Sequence, residues 1–382
     1  MRRFVFGLAL AVGLAAGARA QDLSDVTRYV FVPNRASADV AVIDTARDAV
    51  VARLPVGRVP HQVAVSDALG VLVASNMADD TVSIVDLRGG GTVATLKLDR
   101  SPEHMELAPS GDLVAVSNIE GGSVSLVFLV EKREIARIEG LHEPHNMTFS
   151  PDGRYLYVAN LGADFVSMVD VAQAKVVREI PVGEPRLVAY AGTGDDYQGI
   201  VNVTATPDRR LGFAAFGEGD VMAVLDLRTG RQIRTIRLGE LPWRAYATAD
   251  GRYMIVPDNG DGTVSVVSVA DLREVARLRG GEDMTGVNTA WFETTAFVIS
   301  RGEEKLHVLD LVGMRNAGEI PLPGTPETGV TTPDGAKVYV ALSSTDQVAV
   351  IDARTRRLVK LIDGVGDEPW GTFMVGSLNY CH

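Results

Sequence analysis

A repeat of forty-two residues dominates this chain. Asp44, Asp86, Asp170, Asp226, Asp310 and Asp352 each follow an apolar residue in a short apolar segment, and Phe128 and Ser268 fill the two gaps in the series. The successive intervals are 42, 42, 42, 56, 42, 42 and 42 residues, which makes eight copies with one insertion of fourteen. A period in the low forties built only of short β-like segments specifies a β-propeller. In such a ring the side chains with chemistry collect at one place, the mouth of the central channel.

Residues 143–160 give the repeat in full. Met147 to Phe149 alternates as a strand, Pro151-Asp152-Gly153 is a turn, and Tyr155 to Ala159 is a second strand rich in aromatic and β-branched residues. The turn has a mechanism: proline presets φ, aspartate bonds the local backbone, and glycine accepts positive φ. Phe165 to Asp170 supplies the third strand and Val176 to Ile180 the outermost one. Related turns recur at 108–111, 206–208, 248–251 and 332–335, and no helical periodicity follows the first twenty residues. The expectation is an all-β, eight-bladed β-propeller of four-stranded blades.

The ends of the chain carry a closure argument. Tyr29 to Pro33, Val40 to Asp44 and Val50 to Pro55 make three strands with no innermost strand before them. Pro369-Trp370-Gly371-Thr372-Phe373-Met374-Val375 matches an innermost strand and lacks the other three. Pairing the C-terminal strand with the N-terminal strands closes the eighth blade and removes free sheet edges.

Aligned on the position before each innermost strand, mostly proline, the copies give Pro60, Pro102, Pro144, Ile200, Pro242, Met284, Pro326 and Pro369. The next column is His61, Glu103, His145, Val201, Trp243, Thr285, Glu327 and Trp370, followed by Gln62, His104, Asn146, Asn202, Arg244, Gly286, Thr328 and Gly371. These loops crowd the propeller axis, so the two columns converge on one opening, and a concave opening with convergent polar groups is a ligand site. Four of the six histidines, His61, His104, His142 and His145, lie in or beside it. His61, His104 and His145 are candidates to ligate a metal or to serve a haem as axial ligand, since neutral imidazole suits both tasks. The same imidazoles equally serve to hydrogen-bond backbone in a wet channel. Glu103 and Glu327 are candidate mouth ligands and general acids or bases, although two carboxylates on distant blades are usually just solvated. Arg244 beside Trp243 offers a guanidinium and an indole to an anionic, planar ligand. The insertion, with Arg186, Tyr190, Gly192, Gly194, Tyr197 and Gly199, connects on the histidine face and is either a lid or a tolerated surface loop.

Residues 1–20 read as a cleaved secretory signal peptide: Arg2 and Arg3, an apolar run from Phe4 to Ala16, then Ala18-Arg19-Ala20. The run is too short to span a membrane. The expected product is a single propeller domain, 21–382, in the periplasm. Loss of Arg2, Arg3 and Arg19 takes the formal charge from -12 to -15, which disfavours nucleic acid and anionic membranes as partners. The one cysteine, Cys381, permits no intramolecular disulfide and excludes a Cys-X-X-Cys-His haem attachment. With His382 it is a minor candidate for a soft metal. No Gly-X-Ser-X-Gly, His-Glu-X-X-His or calcium-loop pattern occurs.

The segments 150–160 and 166–170 resemble the repeat of the bacterial YVTN-type propellers, and the likeness runs over nearly all of the chain after residue 20. It implies the fold and leaves activity open. Within that superfamily the chain is similar to the d1-haem domain of nitrite reductases and to the proteins of d1-haem biosynthesis, which share eight blades and channel-mouth histidines. It also resembles the exported propellers of quinoprotein alcohol oxidation in its Pro369-Trp370-Gly371 ending, though those have seven blades. Exported YVTN propellers that bind DNA are a third relation, disfavoured by the acidic charge. Two functions follow. One is an accessory propeller that holds a small molecule or a periplasmic partner protein through its mouth. The alternative is a redox or cofactor-maturation protein that binds a tetrapyrrole or a metal through the channel-mouth histidines.

Overall fold

The computed structural model describes residues 22–183 and 198–377. They form seven four-stranded antiparallel sheets and one three-stranded sheet. In chain order the four-stranded sheets, blades 1 to 7, span residues 60–97, 102–139, 144–181, 203–237, 246–279, 284–321 and 326–362. The three-stranded sheet comprises Tyr29–Asn34, Asp39–Asp44 and Ala49–Pro55. Its free inner edge faces the C-terminal segment. Phe31 and Phe373 exchange backbone hydrogen bonds of 2.8 and 2.9 Å, and the Trp370 N–H donates to the Pro33 carbonyl at 3.0 Å. The expected strand is therefore present as two isolated bridges, Phe31 to Phe373 and Asn34 to Pro369, and not as a continuous ladder. Among the described residues the only helical pieces are two three-residue 3-10 turns, and no helix is long and apolar enough to cross a membrane.

Side-chain patterning explains the ring. The two middle strands of a blade, such as Leu113–Asn118 and Ser123–Phe128, are buried over nearly their whole length, whereas the outermost strand Arg231–Arg237 exposes all but one residue. Eight apolar clusters result, each lying between a pair of neighbouring blades. The first joins Phe31 and Val42 of the three-stranded sheet to Val63 and Leu72 of blade 1. The last joins Val330, Tyr339 and Val350 of blade 7 back to Val30 and Ile43 of the three-stranded sheet. Eight blades with eight interfaces make a closed ring, and apolar burial at every interface is its main stabilising term.

A polar column accompanies the apolar one. Asn76, Asn118 and Asn160 each end the second strand of their blade fully buried. The Nδ2 of Asn76 donates to Thr81 and Ser83 Oγ, both at 3.0 Å, and Asn118 does the same to Ser123 and Ser125 at 3.1 and 3.0 Å. Blade 5 places Asp258 in this position, where its carboxylate accepts from Ser265 at 2.7 Å and from Thr263 at 3.3 Å. Burial pushes the Asp258 carboxyl up to about 7.

The innermost strands share an irregularity that builds the mouth. In blade 1 Pro60 pairs with Asn76 and regular register resumes at Val63 with Ala74, so His61 and Gln62 together oppose Ser75 alone. Blades 2, 3 and 7 repeat this bulge around Glu103-His104, His145-Asn146 and Glu327-Thr328. An extra residue in one strand bends it and re-aims side chains, so both members of each pair turn toward the axis. The residue just before the leading proline has φ near +50° at Val59, Ser101, Glu143, Leu241 and Glu368. Each such non-glycine residue costs about 1–2 kcal/mol. The packed ring holds this strain at the mouth.

Candidate functional site

The bulges of blades 1 to 3 bring His61, Glu103, His104 and His145 into one cluster. All four are at least nine-tenths buried. Glu103 Oε1 lies 3.4 Å from His61 Nε2, 3.6 Å from His104 Nε2 and 3.9 Å from His145 Nε2. Three imidazoles thus aim the same nitrogen at one carboxylate oxygen. His104 Nε2 and His145 Nε2 are 2.8 Å apart, and His145 Nδ1 lies 2.8 Å from the Val201 carbonyl. A carbonyl only accepts, so His145 carries its proton on Nδ1 and presents a lone pair at Nε2, toward which His104 donates. Burial holds His145 down to about 4, which keeps it neutral throughout the physiological range. Burial also pushes the Glu103 carboxyl up to about 7, opposed by Arg35.

Arg35 is the residue that sequence reasoning missed. Its Nη2 lies 2.6 Å from His61 Nδ1, and its guanidinium stacks 3.3 Å above the Trp370 ring. Because arginine only donates, His61 accepts at Nδ1 and directs Nε2 at Glu103. Burial pulls the Arg35 guanidinium down, against Glu368, Glu103 and Glu327. Arg35 follows the asparagine that ends a second strand, and Arg301 occupies the same repeat position in blade 6. Two arginines in a column otherwise filled by Met77, Ile119, Leu161, Gly217, Asn259 and Ser343 were the available signal.

Two expectations need correction. Glu103 and Glu327 are buried, not solvated, because the bulge turns them toward the axis. Glu327 accepts from Ser343 Oγ at 2.6 Å and from Arg301 at 3.4 Å. Arg244 does not pair with the Trp243 indole. It stacks over Tyr246 at 4.7 Å, two residues along. Trp243 is half-buried and its backbone N–H donates to Pro257.

The remaining candidates divide. Gln62 reaches across to blade 2 and accepts from the Met105 backbone N–H. Asn146, Asn202 and Arg244 line a cavity in the channel beneath the cluster. Trp370 tilts against His61 with ring centroids 6.0 Å apart. His142 packs on Phe165 and takes no part in the cluster. Arg186, most of the insertion, Cys381, His382 and the 1–20 leader lie outside the described residues. Val201, which meets His145, lies just beyond the insertion.

The donor set suits a metal or a tetrapyrrole. His61, Glu103 and His104 each offer one ligand atom, all within 4.8 Å of one another. This differs from the expected three-histidine set by exchanging Glu103 for His145. Two imidazoles and a carboxylate are ligands for a first-row transition metal. His145 Nδ1 is anchored on Val201, and its Nε2 would serve a metal only once the His104 N–H turned away from it.

No family model matches the chain. It is 26% identical to Protein NirF of Pseudomonas aeruginosa over 199 residues, covering 45% of this chain and 50% of that protein. The chain thus spans about half the length of the curated relative it matches. Among solved structures it is similar to dihydro-heme d1 dehydrogenase NirN in complex with DHE, with a TM-score of 0.74 and 18% identity over 92% of this chain and 76% of that one. Hydrazine synthase of Kuenenia stuttgartiensis superposes with a TM-score of 0.57 and 22% identity over 77% and 95%. At these identities the likeness to solved structures is one of fold, an eight-bladed β-propeller.

Proposed function

We propose that this propeller binds a tetrapyrrole or a transition metal at its channel mouth and acts in cofactor maturation or redox chemistry. The convergence of three imidazole nitrogens on Glu103 carries the reading. The likeness to NirF and NirN supports it over an accessory propeller with no cofactor. Were such a group bound, His145 would be a ligand to its metal, its ring fixed by Val201 and its Nε2 released by His104. His61, Glu103 and His104 hold a metal if the ligand is the bare ion. Arg35 and Arg301 supply positive charge for acidic side chains at the rim of a tetrapyrrole, and Trp370 backs Arg35. A bound group of this kind supplies redox-active electrons, and Glu103 takes up or releases a proton at Oε1 near neutrality. In this reading residues 1–20 are a cleaved signal peptide and the protein works in the periplasm.

Absorbance spectra and metal analysis of protein purified from its native host test the reading. A Soret-type band or a stoichiometric metal is expected. Colourless, metal-free protein that also takes up no added haem refutes it.

A further inference from the structure

Beneath the histidine cluster the channel holds a cavity of about 130 Å³, lined by Glu106, Asn146, Asn202, Arg209, Arg244 and Tyr246 among others. Arg209 reaches it at a structural cost. Its turn, Thr206-Pro207-Asp208-Arg209, matches the turns that hold Gly111, Gly153, Gly251 and Gly335 in other blades. Those glycines have φ between +68° and +77°, and Arg209 adopts φ +54°. Glycine is the residue suited to this conformation, so the turn itself gives no reason for an arginine. What arginine adds is a guanidinium that crosses from blade 4 to blade 2, where Nη2 donates to Glu106 Oε1 at 3.1 Å.

That pair leaves a donor over. Arg209 Nη1 is buried and has no hydrogen-bond partner. Asn146, only 6% exposed, has a buried Nδ2 in the same condition. Buried donors without acceptors cost about 1–3 kcal/mol each, so two in one cavity mark a place for an acceptor. The neighbouring groups are already engaged: Asn202 Nδ2 donates to Thr204 at 2.9 Å, and Thr204 Oγ1 to the Ala245 carbonyl at 2.6 Å. The formal charge of the lining is also suited to an acceptor. Among the described lining residues Arg209 and Arg244 carry positive charge and Glu106 negative.

We infer that this cavity is a binding site for one carboxylate group, held by Asn146 Nδ2 and Arg209 Nη1 in the field of Arg244. The carboxylate belongs either to a free small acid or to an acidic side chain of a larger ligand seated at the mouth. The second source rests on the proposed function and the first does not.

The probe is acetate, followed by [13C]acetate line width and by the thermal midpoint of the protein, with chloride at equal ionic strength as control. Saturable binding is expected. Asn146→Ala weakens it about tenfold, the loss of one charge-assisted hydrogen bond. Glu106→Gln raises the lining charge and tightens it. Glu106→Gln with Arg209→Gly restores the lining charge and relieves the turn, yet weakens binding about tenfold because the donor is gone. If acetate does not saturate, haem and its dimethyl ester distinguish the second source. Tighter binding of the acid than of the ester, lost in Asn146→Ala, supports a carboxylate arm. The inference is overturned if neither probe shows a carboxylate preference, or if the preference survives both Asn146→Ala and the double substitution.

Discussion

Asp258→Asn should stabilise this protein at alkaline pH, by an amount that vanishes in acid. Asp258 is fully buried at a position where blades 1 to 3 carry asparagine. Its Oδ2 accepts from Ser265 and Thr263, while Oδ1 is buried without a partner. Burial raises its carboxyl from the ordinary 3.8 to about 7, with Asp261 adding to the shift and Arg277 opposing it. The folded state therefore holds a proton that the unfolded chain releases at lower pH. Stability from this group is complete below 3.8 and is lost as pH rises toward 7. Three units at about 1.4 kcal/mol each bound the loss at about 4 kcal/mol by pH 8. Asparagine removes it and donates Nδ2 to the same two hydroxyls, as Asn76 does to Thr81 and Ser83. For a chain of this size the gain corresponds to a rise of about 3–5 °C in thermal midpoint at pH 8. Urea unfolding of both proteins from pH 4 to pH 8 measures it, with a difference near zero at pH 4 that grows with pH. A constant difference, or an asparagine variant less stable at pH 8, would falsify the assignment of a protonated, asparagine-like carboxyl.

Other consequences follow from the same geometry. A chain ending before Pro369 loses the bridges to Phe31 and Asn34 and the packing of Phe373 and Met374. A loss of about 5 kcal/mol is expected from those hydrogen bonds and that apolar area, with self-association in size-exclusion chromatography through the exposed edge. A monomer of unchanged midpoint would count against closure by this segment. The His145 ring, held down to about 4, should show imidazole NMR shifts that are flat from pH 5 to pH 8. Its contribution to stability is present above the ordinary 6.5 and is lost as pH falls toward 4, so His145→Gln should flatten stability in that window; a mid-range titration of the ring would contradict its burial. Glu103→Gln removes a group raised to about 7, so it should gain stability relative to the parent as pH rises from 4.5 toward 8 in urea unfolding. A pH-independent effect would place Glu103 in a more polar setting.

The sequence made the scaffold readable because a propeller repeats its physics in each copy. The interval of 42 residues follows the blades, and the Pro-Asp-Gly turns mark the ends of the innermost strands. The mouth was readable for the same reason: His61, His104 and His145 occupy two columns, and a bulge at those columns turns both inward. What escaped notice lay off those columns or depended on direction. Arg35 lies beyond the second strand, on the blade whose innermost strand comes from the far end of the chain. Arg244 turns its guanidinium to Tyr246 two residues along, a contact that adjacency in sequence does not reveal. The burial of Glu103 depends on imidazoles from two other blades, which its own segment does not disclose. Arg209 carried a signal that went unread, an arginine in a turn that elsewhere holds glycine.

If the mouth histidines hold a cofactor, His145 would be a ligand to its metal. The direct measurement is an absorbance titration of the mature chain with haem, beside His61→Ala, His104→Ala and His145→Ala. The expected result is a saturable shift of the Soret band that is lost in His145→Ala and altered in the other two. A parent protein with no spectral change and no bound metal, or three variants with the parent's spectrum, would contradict it.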